Sequence, residues 1–449
     1  MRPLKLINNK FDFKEDTILN YSSSLKKQLN KLINAQSNHK SDYLYSPEKD
    51  FSRKRKISYE DVIKMTITSG ARSLRNELMT FYNYKKSVTA SAYCQQRSKI
   101  KKEAFKDLFY SFNSILDKTK NYNGYQLLAC DGSQIQTPMT TDNEDYYLQG
   151  YQSSDNNNAY FHLNALYDLC NDYYDDIIIE PEHIRKEKDS FIKMIQRHDK
   201  SRKIIYIADR GYESYNVMAH IYDQNQFFLI RIKDFNIGGI AQMFPKPNQD
   251  EFDQTFTRTF TRHSHKKYRE KYGDYIWIRH KYDIDFFTPE HDLYKMTFRI
   301  IRIKISNDTY ECLVTNLPAD EFKTDEIKKL YRMRWGIETS FKELKYSTAL
   351  LYFHSKKEEL LHQEIYAKLI MYNFSQAVIS KIKLVKKHLK YEYKINHALS
   401  EQLCSLFLKR ATSIDIESML QKALLPVRPN RSYKRTKKKN RFINLEYRP

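Results

Sequence analysis

Two short apolar runs end alike. "YQLLACDG" reaches Asp131 and Gly132, and "KIIYIADRGY" reaches Asp209. Continuous apolar runs of this length, bounded by polar residues, read as strands buried on both faces. Buried strands alternating with helical patterns require a sheet with helices packed against it. Between the two runs, "YFHLNALYDL" and "DDIIIEP" flank "CNDYY" as a hairpin, and "EHIRKEKDSFIKMIQRH" reads as a helix. A helix at about Ser214–Gln224 and the strand "FFLIRI" follow, so the order is three strands, helix, strand, helix, strand. If the two acid-ended strands are parallel neighbours, Asp131 and Asp209 lie side by side at the carboxyl edge, where open α/β sheets carry their sites. An aspartate at a strand end also serves as an ordinary turn residue, so neither acid decides the matter alone.

The flanks divide the chain. Residues 1–118 read as all-helical: a helix near Thr17–Leu32, a capping box at "SYED", a turn at Gly70, and helices near Leu74–Tyr82, from Thr89, and from Lys102 to Leu116. Short turns between such helices are compatible with helix-turn-helix DNA binding. Residues 119–235 hold the α/β pattern. Residues 236–322 carry period-2 strands, "FTRTFTRH", "YIWIRHKYDI", "MTFRIIRIKI" and "YECLVT", a β-rich insertion. Residues 323–410 are helical, and 411–449 form a basic tail with a cationic run at 428–441.

The helix that reopens the α/β pattern carries "LYRMRWGIETSFKELK", Leu330 to Lys345. At about 100° per residue, Tyr331 (0°), Arg334 (~300°), Glu338 (~340°) and Lys345 (~320°) fall in one arc of roughly 60°. Met333, Ile337, Phe341 and Leu344 fall beside it and can dock the helix on a core. The plain alternative is a solvated face with an i,i+4 pair, Arg334 to Glu338.

Asp131, Asp209 and Glu338 together favour the chemical reading. Three carboxylates about one point repel one another unless a cation sits among them, and hard oxygen ligands suit Mg²⁺ or Mn²⁺. Two such ions, ~3.5–4 Å apart, activate a water or a 3′-hydroxyl and stabilise the leaving oxygen of a phosphodiester. Tyr331, Arg334 and Lys345 on the stripe, and Arg210 next to Asp209, are the candidate phosphate contacts.

Composition agrees. Lys plus Arg number 77 against 55 acids, a net charge of +22, which draws polyanions. No apolar run approaches the ~20 residues a membrane span needs, and the N-terminus lacks a signal-peptide core. Five scattered cysteines form no C-x-x-C, which fits a reducing cytoplasm.

The pattern Y-x2-R-x3-E-x6-K, after "CDGSQIQTP" and "IADRGYES", resembles the DDE transposases of insertion sequences, those of the insertion-sequence-four type with a Y-R-E-K signature. The resemblance runs over roughly residues 50–400. It implies a ribonuclease-H-like mixed sheet with flanking helices, interrupted by a β-rich insertion between the second Asp and the Glu. It implies cut-and-paste transposition in a bacterial cytoplasm, at the nucleoid, by a homodimeric synaptic complex on double-stranded DNA, both the inverted-repeat ends and the target. It also implies that Asp131, Asp209 and Glu338 bind the metals. Relatives stack a flipped base on a Trp of the insertion. Here "TYECLVTNLP" has Tyr310 or Glu311 in that place and Trp277 lies in another strand, so Tyr310 and Trp277 are the stacking candidates. A nuclease or resolvase that cleaves without joining, and a non-catalytic DNA-binding descendant, are the rival readings.

Three further features stand outside this constellation. Gln95, Gln96 and Arg97 are candidate base readers, with polar helix surface as the alternative. "RHSHKKYRE" lacks partners at zinc spacing and reads as a basic loop touching DNA. Trp335 reads as core packing.

Overall fold

The computed structural model describes residues 21–85, 88–137, 159–199, 201–235, 237–262, 275–278, 284–288, 291–306, 309–382, 392–409 and 415–427. The tail run at 428–441 and the histidine-rich stretch 263–270 lie outside the described residues.

The described residues open with five α-helices: α1 (Tyr21–Asn38), α2 (Tyr59–Thr68), α3 (Leu74–Phe81), α4 (Ala90–Arg97) and α5 (Glu103–Ile115). The capping box is present: the Ser58 hydroxyl accepts from the Asp61 N–H, and the Asp61 carboxylate accepts from the Ser58 N–H. These satisfy two amides that the first helical turn leaves unpaired. Thr89 caps α4 through the Ala92 N–H at 3.1 Å.

The α/β part follows in the order expected: β1 (Gln126–Thr137), β2 (Ala159–Asp168), β3 (Tyr173–Pro181), α6 (Glu187–Arg197), β4 (Ile204–Ala208), α7 (Tyr215–Asp223) and β5 (Phe227–Ile232). The strands lie side by side as β3-β2-β1-β4-β5. β1 is antiparallel to β2 and parallel to β4, and β4 is parallel to β5. Three antiparallel strands feeding two parallel ones through helices is the ribonuclease-H-like arrangement.

One expectation about β1 is corrected. The strand does not end at Asp131 but continues to Thr137, held by its antiparallel partner. What ends is the pairing with β4, whose last step is Cys130 against Ala208.

The insertion is not a separate body. Its strands β6 (Phe252–Thr261), β7 (Tyr275–Trp277), β8 (Leu293–Ser306) and β9 (Thr309–Thr315) extend the same sheet, with β9 pairing to β5. Two nearly buried arginines fix it. Arg299 grips Asp253 through 2.7 and 2.6 Å bonds, and Arg302 grips Asp234 through 2.8 and 2.9 Å bonds.

Side chains alternate across the sheet as the pleat demands. Leu128, Tyr206 and Phe228 join the core beneath α6 and α7. Leu127, Ile205, Ile207 and Leu229 join Ile327, Leu330 and Tyr331 of α8 (Thr324–Met333) on the other face. Each fully buried Leu or Ile contributes about 1.5–3 kcal/mol relative to exposure.

The signature segment is not one helix. α8 stops at Met333 and α9 (Trp335–Tyr346) begins after Arg334, which keeps helical dihedrals (φ −50°, ψ −33°). Beyond it the chain is not helical throughout. α10 (Glu358–Ile379) and α11 (His397–Lys409) are separate, and β10 (Tyr393–Ile395) pairs with β11 (Leu424–Pro426) beyond α12 (Ile416–Lys422). α10 is buried along most of its length and shares one core with α1, α2 and α5.

Candidate active site

The register of β1 against β4 builds the floor of the site. Cys130 is opposite Ala208, so the next residue on each strand is an aspartate, and both emerge at the same edge. Asp131 accepts from the Gly132 N–H at 2.8 Å, and Asp209 accepts from the Gly211 N–H at 2.8 Å. Arg210 is exposed beside it.

α9 brings the third acid. Ile337, Phe341 and Leu344 face the core that includes Ala129, and Ser340 donates to the Tyr174 hydroxyl at 2.9 Å. Gly336 permits the approach, because a Cβ there would lie 2.9 Å from the Leu169 side chain. Met333 is only half-buried and packs on the neighbouring cluster.

Glu338 then lies across from Asp131, with Arg334 between them. Arg334 donates to Glu338 Oε1 at 2.7 Å and stands 4.0 Å from Asp131 Oδ2. Burial pushes the Asp131 carboxyl up. The Gly132 N–H and Arg334 oppose the rise, while the charges of Asp209 and Glu338 add to it, leaving it at about 6. Asp131 therefore senses the charge of both other acids. Lys345 donates to the Ser133 hydroxyl at 2.7 Å, and burial lowers its ammonium pKa. Tyr331 is 4% exposed, its ring 5.7 Å from the Arg334 guanidinium, so its hydroxyl does not reach the surface in this arrangement.

The donor set suits a hard divalent cation: three carboxylates, acceptors only, two of them raising the proton affinity of Asp131. Among the described residues, no three acidic, histidine or cysteine side chains converge closely enough to hold an ion as they stand. Glu338 is turned to Arg334 instead.

A cluster that the sequence reading passed over adjoins this floor. His162 of β2 is 2% exposed, with Nδ1 3.0 Å from Glu182 Oε2 and Nε2 3.1 Å from Glu187 Oε1. Glu182 also accepts from Gln134 at 2.8 Å and Arg185 at 2.7 Å. A Cβ on residue 132 would fall 2.2 Å from His162 Nε2, so any larger residue there must displace the imidazole. The signal available was that glycine, next to Asp131 in a strand otherwise free of it.

Several expectations are corrected. Arg97 does not face solvent. It is 3% exposed and pairs with Glu364 at 2.7 Å and with Gln363 at 2.9 Å, the internal counter-charge for a buried acid. Gln96 is 6% exposed, so neither side chain can read a base from this position, and only Gln95 is exposed. Tyr310 has one face covered by the Arg302 guanidinium at 3.6 Å. Trp277 is half-buried and donates to the Arg262 carbonyl at 3.2 Å. Trp335 is 59% exposed, not packed in the core.

The strand order and crossovers define a ribonuclease-H-like fold, and the paired strand-end acids give it a candidate site of carboxylates. Residues 122–374 match the transposase DDE domain, and the chain belongs to that family. The transposase InsG of insertion sequence element IS4 from Escherichia coli K12 is 26% identical over 159 residues, 32% of this chain and 35% of that protein. The putative transposase InsL of element IS186A, from the same organism, is 40% identical over 58 residues, 13% of this chain and 16% of that one. The chain thus spans about a third or less of the length of these relatives. A piggyBac transposase, solved as a synaptic complex with hairpin DNA, aligns over 94% of this chain and 89% of its own, at 8% identity and a TM-score of 0.46.

Proposed function

We propose that this protein is a DNA transposase that cleaves and joins phosphodiesters at the ends of an insertion sequence. The supporting observation is the register that leaves Asp131 and Asp209 adjacent at one sheet edge, with Glu338 of α9 over them. Asp131, Asp209 and Glu338 would hold Mg²⁺ or Mn²⁺, two ions on the family's pattern. When bound, such ions polarise the phosphodiester and lower the pKa of the attacking hydroxyl or water.

The chain's own residues do the rest. Arg334 balances the carboxylates and would pass from Glu338 to a phosphate oxygen when DNA binds, which its planar fork suits. Lys345, fixed on Ser133, would present a second cation two residues along β1 from Asp131. Arg210 stands exposed beside Asp209 for a third contact. The strands of β1 and β4, buried on both faces, keep the two aspartates from moving relative to one another. Cut-and-paste movement on inverted repeats by a homodimer is part of this reading. So is DNA binding by residues 1–118 and by the strands of 236–322.

The test uses the full chain with Mg²⁺ and a linear duplex carrying the element's own ends. Nicking and joining into a second duplex are expected. Asp131→Asn, Asp209→Asn and Glu338→Gln should each remove both, by factors that do not multiply in combination. Cleavage without joining would favour a nuclease or resolvase. Near wild-type nicking by Glu338→Gln would overturn the reading.

A further inference from the structure

Asp131 sits on a stretch of β1 that a neighbouring strand holds from one side only. The pairing with β4 ends at Cys130, and among the described residues β2 alone runs beside β1 from there to Thr137. A strand paired along one edge is free to tilt, while a working set of side chains has to be held to within about 0.5 Å. The first turn of α6 is placed to brace it.

α6 reaches both acid-bearing segments. On the Asp131 side the contact runs through His162 of β2. Its Nε2 lies where it would meet a Cβ on residue 132 at 2.2 Å, so the imidazole rests directly on the backbone that follows Asp131. Glu187, the first residue of α6, sets Oε1 3.1 Å from that nitrogen, and Glu182 sets Oε2 3.0 Å from Nδ1. Glu182 also accepts from Gln134 of the same β1 stretch at 2.8 Å. The imidazole is buried, so it can act on DNA only through what it holds. On the Asp209 side, Phe191 of α6 packs edge-on against Tyr212, ring centroids 5.4 Å apart, and Lys188 donates to the Glu213 carbonyl at 2.8 Å. Tyr212 closes the turn that Asp209 opens, its N–H donating to the Asp209 carbonyl at 3.2 Å. One helix therefore touches the segments that carry both aspartates.

We propose that His162 is a positioning residue for cleavage: wedged between Gly132 and the carboxylates of Glu182 and Glu187, it fixes Asp131 relative to Asp209. This rests on the DNA-cleaving reading above. Gly132 is its counterpart, since the missing Cβ lets the imidazole reach the backbone. A shift of ~1 Å at a reacting group can cost about a hundredfold in rate, yet it leaves phosphate contacts elsewhere on the chain untouched. The signature is a loss of rate and of ion affinity without a loss of DNA binding.

The test follows the full chain at one pH on a linear duplex carrying the element's own ends, with protein in excess so that one turnover is read. It measures the Mg²⁺-dependent nicking rate, duplex binding without divalent cation, and Mn²⁺ affinity from the EPR signal of the free ion. Urea midpoints show which variants are folded. His162→Ala should slow nicking by roughly 10- to 100-fold, weaken Mn²⁺ affinity about tenfold and change metal-free duplex binding by less than about twofold. His162→Gln keeps bulk against Gly132 and should recover most of the rate. Adding Gly132→Ala to His162→Ala should recover part of it, because the methyl enters the space the imidazole has left. Glu187→Gln keeps shape and volume, should slow nicking about tenfold, and carries the test if His162→Ala does not fold. Nicking within about twofold of wild type in whichever of these two is folded overturns the inference and leaves the cleavage reading to its carboxylate variants. Equal losses of nicking and of metal-free duplex binding overturn it as well, since they mark a general loosening. A wild-type chain that nicks nothing overturns the cleavage reading, and an unchanged Mn²⁺ affinity in His162→Ala would then overturn this inference too.

Discussion

Arg334 holds Glu338 at 2.7 Å and turns its other terminal nitrogen to Asp131 at 4.0 Å. One guanidinium thus occupies charge that a divalent cation would otherwise neutralise. Added Mg²⁺ or Mn²⁺ should therefore stabilise the wild-type fold, by about 2.7 kcal/mol at a hundredfold excess over Kd. Glu338→Gln and Asp131→Asn should lose most of that gain. Arg334→Gln should be less stable without metal, because three carboxylates then face one another unbalanced, and should gain more from metal than wild type. Thermal melts with and without the ion measure all four proteins. An equal shift in Glu338→Gln and wild type would exclude Glu338 from the ion's ligands.

Gly132 and His162 share one space. A methyl at 132 would meet His162 Nε2 at 2.2 Å, and the strand carrying it also carries the N–H that holds Asp131. Gly132→Ala should cost about 1–3 kcal/mol as an overpacked site. Combined with His162→Ala, the loss should be smaller than the sum of the two single losses, since the second change removes the obstacle. Urea unfolding of the four members of this cycle checks it. Simple additivity would show that the imidazole is not what makes residue 132 a glycine.

Much of the α/β part was legible because buried strands advertise themselves: "QLLAC" and "IIYIA" are continuous apolar runs and became β1 and β4. Their parallel pairing, and so the adjacency of Asp131 and Asp209, follows from the crossover helix between them. The side-chain arc from Tyr331 to Lys345 was legible only in part. A helical wheel assumes one unbroken helix, and the break at Arg334 sends Tyr331 into the core while leaving Arg334 at the acids. Arg97 and Trp335 were read the wrong way round for a common reason. Residue type argues for the surface in an arginine and for the core in a tryptophan, but burial depends on what stands opposite. Glu364 of α10 stands opposite Arg97, 267 residues further on, and no local pattern announces that. His162 was missed because a lone histidine in an alternating strand has no sequence mark until Glu182 and Glu187 fold against it.

His162 should make stability depend on pH. Burial lowers its proton affinity, but the Glu187 carboxylate close against Nε2 and the charges of Glu182 and Glu187 outweigh burial and raise its pKa above the ordinary value. A histidine raised in the folded state contributes stability that is complete below its unfolded pKa and disappears as pH rises through the folded one. His162→Gln should therefore be destabilising at pH near 6, and the gap from wild type should narrow at pH near 9. Urea midpoints at both pH values measure it. A gap that widens with pH would mean that the imidazole is neutral between the two glutamates.

Arg97 and Glu364 join the N-terminal helices to α10 through a pair 3% and 2% exposed. Taking two charges out of water is costly, and the pair survives because each partners the other, with Gln363 and the Leu360 carbonyl accepting from Arg97 and the His354 N–H donating to Glu364. Removing one partner leaves a bare charge in the core. Arg97→Met or Glu364→Gln alone should then cost about 3–5 kcal/mol. The double variant, with no bare charge left, should cost clearly less than the two losses added. The same contact bears on dissection. α1, α2 and α5 share their core with α10, so a fragment ending at residue 118 should lack cooperative unfolding while the full chain retains it. Circular dichroism during urea titration distinguishes these outcomes. A sharp transition in the fragment, or single variants within about 0.5 kcal/mol of wild type, would show that the helical region stands without α10.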